Sequence, residues 1–208
     1  MTTVAKFDGD LRVAGDLQVD GAIPRVPRSS LMQDPLAIFA VAMMHMRRWD
    51  SLLNVLPAAG ADDDLGLYGG TFGSATPKLS TGDVKAAGCT RYARFQWAIP
   101  AEYEAAETIT LRLNAGMETT VAGTSAEVDV ECYKANRSAG VGSDICNTAA
   151  QSINSLVFAN KDFVITPIGL TAGDILDVRL TITVVDAATG TAVIGSIGAV
   201  EMLVDIKG

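Results

Sequence analysis

His45 is the single histidine among 208 residues, and it stands in the run Met43-Met44-His45-Met46. A zinc site, a Ser-His-Asp relay or a Cys-His pair would each have to be built around that one imidazole. Flanked by methionines, it reads as a packing or interface residue. Asp62-Asp63-Asp64 gathers oxygens that a hard cation could use, but the spaced carboxylates and closing Glu of a calcium loop are missing. A solvated acidic turn is the plainer reading. Glu102, Glu104 and Glu107 fall within one turn of chain and give no opposed carboxylate pair for glycoside cleavage. Gly69-Gly70-Thr71-Phe72-Gly73 lacks the lysine and helix start of a phosphate loop. Trp49 and Trp97, with four tyrosines, are few for a sugar-stacking platform, although one exposed pair would suffice. The residues predict no catalytic group, no metal and no cofactor.

Cys89, Cys132 and Cys146 have no metal-ligand spacing, and an odd number leaves at least one unpaired. They read as small buried hydrophobes of a chain made in a reducing cytoplasm, with a Cys132–Cys146 bridge across a hairpin as the alternative. The formal charge of −8 argues against nucleic acid as a partner. The opening Met1-Thr2-Thr3 runs straight into polar sequence, so no secretion signal is expected. The longest apolar run, Leu36 to Met44, is about half a membrane span, and no membrane partner is expected.

Hydrophobic residues make up 49% of the chain and charged ones only 19%, with 20 glycines and 7 prolines. Thr, Val, Gly and Ala dominate where long helices would want Glu, Lys, Gln and Arg, so the composition leans to strands.

Gly9-Asp10-Leu11-Arg12-Val13-Ala14, Gly15-Asp16-Leu17-Gln18-Val19-Asp20 and Gly21-Ala22-Ile23 form a six-residue repeat given two and a half times. Backbone ordering costs roughly 1–2 kcal/mol per residue. Five aliphatics in fifteen positions cannot offset that alone, so the segment must borrow a surface or stay disordered. Its strict spacing favours strands paired against another chain; the alternative is an amphipathic hairpin on its own domain. Leu11, Val13, Leu17, Val19 and Ile23 would form the gripping face. The strap Ile23-Pro24-Arg25-Val26-Pro27-Arg28 follows, semi-rigid through its prolines, and Arg25 and Arg28 would fix register on an acidic neighbour or simply solvate a linker. Residues 1–30 are thus expected to be an arm, and 31–208 a folded domain with a long loop at about 58–88.

Within that domain, residues 35–49 are ambiguous: Asp34-Pro35 suits a helix start, while the unbroken apolar run suits a strand buried on both sides, which we expect. Later the alternation is clear. Ala93, Phe95, Trp97 and Ile99 oppose Tyr92, Arg94 and Gln96. Ile109, Leu111 and Leu113 oppose Thr108, Thr110 and Arg112. Val128, Val130 and Cys132 oppose Glu127, Asp129 and Glu131. Leu176 through Val184 oppose Asp177, Arg179, Thr181 and Thr183, and Val200, Met202, Val204 and Ile206 oppose Glu201, Leu203 and Asp205. Such a period of two with one polar face marks antiparallel sheets wetted on one side. Turn signals at 100–103, 114–116, 138–140, 172–174 and 188–190 punctuate the strands. The expected fold is all-β, a jelly-roll-like antiparallel β-sandwich behind an N-terminal extended β-arm of hexad repeats.

Tyr92-Ala93-Arg94-Phe95, Ile99-Pro100-Ala101-Glu102-Tyr103, Thr108-Ile109-Thr110-Leu111-Arg112, Leu170-Thr171-Ala172-Gly173-Asp174 and Gly198-Ala199-Val200-Glu201 carry a resemblance. Residues 90–208 resemble jelly-roll domains of tailed-bacteriophage virion proteins, of the capsid decoration (cement) and fibre-head type. The hexad arm is similar to fibre stems and capsid-gripping arms. The resemblance implies a homotrimer on a virion, made in the host bacterial cytoplasm, with the major capsid protein or another virion protein as partner. It supplies no catalytic or ligand residue. The leading expectation is therefore a non-enzymatic decoration protein that stabilises the head shell through its arm. The alternative is a receptor- or carbohydrate-binding head of a fibre or tail; a polysaccharide depolymerase is a third reading.

Overall fold

The structure, a computed structural model, describes residues 36–135, 141–187 and 190–206. The hexad repeat, the strap with Arg25 and Arg28, Asp34-Pro35 and the 138–140 turn lie outside the described residues, and most of the 188–190 turn does too.

Two antiparallel sheets enclose one core. The larger is built from β1 (Leu36–Ala40), β2 (Gly66–Tyr68), β3 (Lys78–Ser80), β5 (Ile109–Met117), β9 (Ala159–Ile165) and β11 (Gly195–Asp205), in the order β2-β3-β11-β5-β9, with β1 also against β11. The smaller is built from β4 (Gly88–Ala98), β6 (Ser125–Ala135), β7 (Val141–Asp144), β8 (Gln151–Ser152) and β10 (Ile175–Val185), in the order β4-β10-β6-β7, with β8 also against β6. The long strands alternate between sheets along the chain, so every long pairing joins strands distant in sequence. This is the expected jelly-roll-like sandwich.

Period-two sequence sets the inner faces. Phe95, Val130, Val178, Leu180 and Ile182 of the smaller sheet meet Leu111, Leu113, Phe163, Val200 and Met202 of the larger in one buried cluster. Each such side chain removed from water contributes about 1.5–3 kcal/mol, and together they fix which face of each strand turns in.

Several expectations change. Residues 35–49 do not form one buried strand: β1 ends at Ala40, its odd residues lean on the core and its even ones are exposed, and Met43–His45 make a single 3₁₀ turn that leaves His45 at the surface. An edge position, not burial on both faces, explains the apolar run. The stretch at 58–88 holds β2 and β3, too short for periodicity to reveal. Asn114-Ala115-Gly116 is not a turn but the middle of β5, where a bulge between Ile197 and Ala199 of β11 absorbs the irregularity. The cysteines are free. Cys132 and Cys146 sit close across β6, and both their backbone N–H groups donate to Asp144 Oδ1 at 2.9 Å. Burial pushes both thiols up, that of Cys146 to about 11, as befits small buried hydrophobes.

Candidate binding surface

The outer face of the smaller sheet is where chemistry-bearing side chains converge. Register places Gln96, Asp177 and Tyr133 in one row, Arg94, Arg179 and Glu131 in the next, and Tyr92, Thr181 and Asp129 in a third. Arg94 and Arg179 therefore stand directly opposite each other, a pairing that repels unless it is neutralised. Two carboxylates neutralise it. Arg94 forks onto Asp177, donating from Nε to Oδ1 at 2.6 Å and from its terminal nitrogen to Oδ2. Arg179 pairs with Glu131 at 2.5 Å. The Asp177 partnership raises the already high pKa of Arg94.

Trp49 comes to this face from outside the sheet. The chain leaves the 3₁₀ turn and Arg47 pairs with the edge of β4, exchanging backbone bonds with Arg94 at 2.8 and 2.9 Å. Further along, Tyr92 N–H donates to the Asp63 carbonyl at 2.8 Å and Leu65 N–H to the Tyr92 carbonyl at 2.9 Å, so the β4 edge is sealed. Trp49 then lies against Tyr92 with ring centroids 5.2 Å apart and planes tilted by 53°. The Arg179 guanidinium stands 4.8 Å from the Tyr92 ring centre and 5.6 Å from that of Trp49. Trp49 Nε1–H donates to Asp63 Oδ2 at 2.9 Å, and its carbonyl accepts from Arg94. Trp49 and Tyr92 are both half-buried.

The acidic run beneath the tryptophan is not simply solvated. Asp64 is buried and pairs with Arg48 at 3.0 Å. Burial raises its pKa against the pull of Arg48, and Asp63, Asp50 and Asp62 push the same way as burial. Two buried polar atoms of the described residues have no partner, Asp64 Oδ1 and Arg179 Nε, and the residues that carry them both adjoin Tyr92.

A second concavity lies at the β2–β3 hairpin, an open groove of about 920 Å³ walled by Tyr68, Thr71, Ser74, Thr76 and Lys78. Gly70 closes this loop at φ 70°, and a Cβ there would lie 2.3 Å from the Ala75 carbonyl oxygen, so the glycines serve the turn. Lys78 is already spent on Glu118 at 2.6 Å and on the Tyr68 ring. The outer face of the larger sheet differs again: Ile38, Leu203, Thr110 and Val164 make a row across it, beside the pair of Arg112 with Asp162 at 2.7 Å.

Of the residues singled out from sequence, Tyr92, Arg94 and Gln96, Asp177 and Arg179, and Glu131 were legible as the polar sides of three separate strands, and the β4-β10-β6 pairing joins them into one face. Trp49 was not, because the helix-or-strand reading absorbed it into an apolar element. The switch to Arg47-Arg48-Trp49-Asp50 was the available signal. Trp97 instead packs beside Phe39 at 5.9 Å, on the inner side. Leu11, Val13, Leu17, Val19, Ile23, Arg25 and Arg28 lie outside the described residues. Glu102 and Glu104 are exposed, and the buried Tyr103 between them donates its hydroxyl to the Glu107 carbonyl at 2.5 Å, a packing role.

No family model matches the chain, and no curated protein matches it. Among solved structures it is similar to the xylan-binding module CBM15, at 12% identity and a TM-score of 0.43, covering 84% of this chain and 100% of that one. The CBM22-1 xylan-binding domain from Paenibacillus barcinonensis Xyn10C is similar at 11% identity and a TM-score of 0.36, covering 83% and 96%. An isomalto-dextranase from Arthrobacter globiformis T6 is similar at 20% identity and a TM-score of 0.38; 66% of this chain is covered, which spans only 20% of that enzyme. At these scores the likenesses speak to neither ligand nor activity.

Proposed function

We propose that this chain is a non-enzymatic binding module whose smaller sheet presents its outer face to a saccharide, serving as a receptor-binding head of a phage fibre or tail. One observation carries the reading: the half-buried cluster of Trp49, Tyr92 and Arg179, flanked by paired side chains. A sugar ring offers a C–H face that packs on an aromatic plane and hydroxyls that need hydrogen-bonding partners at its edge. Gln96 and Glu131, on the same face, offer those partners, and the buried Asp177 holds Arg94 in place behind them. Because Arg94–Asp177 and Arg179–Glu131 already fix the side chains, little conformational entropy is lost on binding. Asp177 and Glu131 are each tied to a guanidinium and Asp63 to the Trp49 indole N–H, so none is left as a free acid or base beside the rings, which supports binding without cleavage. The hexad arm and the resemblance of residues 90–208 support a virion setting.

A glycan array of bacterial surface polysaccharides, probed with the full chain, tests the reading. Binding that falls at least tenfold in Trp49→Ala and in Arg179→Ala, with melting temperature unchanged, is the expected result; no binding by the wild type defeats it.

The second reading, a capsid decoration protein, is favoured by the apolar row on the other sheet. It predicts attachment to particles that disappears when residues 1–30 are removed, whatever the state of Trp49.

A further inference from the structure

Among the described residues the larger sheet leaves its β1 edge open. Among the described residues β1 pairs only with β11, and it carries no charge, proline or bulge in Leu36-Ala37-Ile38-Phe39-Ala40. Protein edges are ordinarily blunted by just those devices, as an unguarded strand invites pairing with another chain. Val41 N–H donates to the Val200 carbonyl at 2.8 Å, which sets the ladder's phase. By the antiparallel alternation, Ala37 and Phe39 turn their backbone groups to β11, while Leu36, Ile38 and Ala40 turn theirs to the open side. The side chains of these same three residues face outward: Leu36 is 55% and Ile38 58% exposed. Ile38 continues the row of Leu203, Thr110 and Val164, in which Leu203 is 5% exposed yet lies outside the central core and Val164 is 45% exposed, while Leu36 and Ala40 stand opposite Asp205 and Glu201. An unpaired edge and an apolar surface therefore coincide.

The chain also supplies something of matching form. Every odd position from 9 to 23 is Gly, Leu, Val or Ile, and every even one is Asp, Arg, Gln or Ala. Extended, that segment has a wholly apolar face and a largely polar one. It covers fifteen residues, about 50 Å at roughly 3.3 Å per residue, whereas the five residues of β1 offer about 17 Å. One edge can pair with about a third of it.

We propose that the open edge of β1 and its adjoining apolar row receive the segment Gly9–Ile23 of a neighbouring copy of this chain. Each copy donates its segment and accepts another's, so the contact propagates round an oligomer and is made once for every acceptor edge. The proposal does not depend on the saccharide reading.

Light scattering on three full-length proteins and one mixture tests it. The wild type is expected at a whole multiple of the chain mass, two or more. Ile38→Lys, at an exposed site, removes only the acceptor; Leu17→Asp with Val19→Asp removes only the donor. Each is expected at one chain mass with an unchanged melting temperature, and Leu36→Lys serves if Ile38→Lys melts early. An equimolar mixture of the two variants is expected to form a two-chain species, because each supplies what the other lacks. A wild type of one chain mass, association that survives Ile38→Lys or Leu36→Lys, or variants that fail to complement would overturn the proposal. The last result would assign the segment to its own subunit.

Discussion

The two sheets finish their outer surfaces in opposite ways. On the smaller, the β4 edge is sealed by Arg47 and by residues 63–65, and its face is polar, paired and capped by Trp49. On the larger, the β1 edge is open among the described residues, and exposed Leu36 and Ile38 lie along it. Paired side chains around half-buried rings suit a small ligand that must be recognised without rearrangement. Open backbone beside aliphatic side chains suits another strand. One sandwich thus separates recognition from assembly, with the core between them.

The sharpest way to break this contrast is a pair of substitutions, one on each face. Trp49→Ala should lower saccharide binding at least tenfold and leave the oligomeric mass unchanged. Ile38→Lys should reduce the mass to one chain and leave binding per chain unchanged. Array binding and light scattering on the same samples check both, and an effect of either variant on both readouts would merge the two surfaces.

A smaller effect separates the ion pairs. Asp177 is buried beneath Arg94 and Gln96, so Asp177→Ala, which leaves a guanidinium without its carboxylate, should cost about 2–4 kcal/mol in urea unfolding. Arg112→Met removes a more exposed pair with Asp162 on the larger sheet and should cost less than about 1 kcal/mol. Equal costs would remove the distinction between a built platform and an ordinary surface.

The pH dependence should differ in sign between the faces. Asp64 has a folded pKa above its ordinary 3.8, so the folded state keeps that proton longer than the unfolded chain, and this contribution to stability is lost as pH rises through the carboxylate range. Asp162 is held below 3.8 by Arg112, so its contribution is present above that range and is lost as pH falls through it. Melting curves across the acid range should show Asp64→Asn flattening the decline toward neutrality and Asp162→Asn flattening the decline toward acid.

What the sequence disclosed follows from periodicity. β4, β5, β6, β10 and β11 alternate strictly, and their buried faces are those expected, Ile109-Leu111-Leu113 and Leu176 through Val184 among them. β9 escaped because Lys161 occupies an inner-face position at the sheet's edge, and β2 and β3 because three residues cannot show a period. The Trp49–Tyr92 pair was hidden for a different reason: its members are 43 positions apart, joined only when the chain crosses to the edge of β4. A long-range backbone pairing leaves no local signature. Asn114-Ala115-Gly116 misled in the other direction, since turn-forming residues also suit a strand facing a bulge.

The most direct test of the central claim uses the two tryptophans as reporters. Trp49 lies on the proposed platform and Trp97 on the inner side, so a saccharide identified on the array should quench the fluorescence of Trp97→Phe as it does the wild type. It should leave that of Trp49→Phe unperturbed and bind that variant more weakly. Undiminished binding by Trp49→Phe, with fluorescence changes arising from Trp97, would contradict the account.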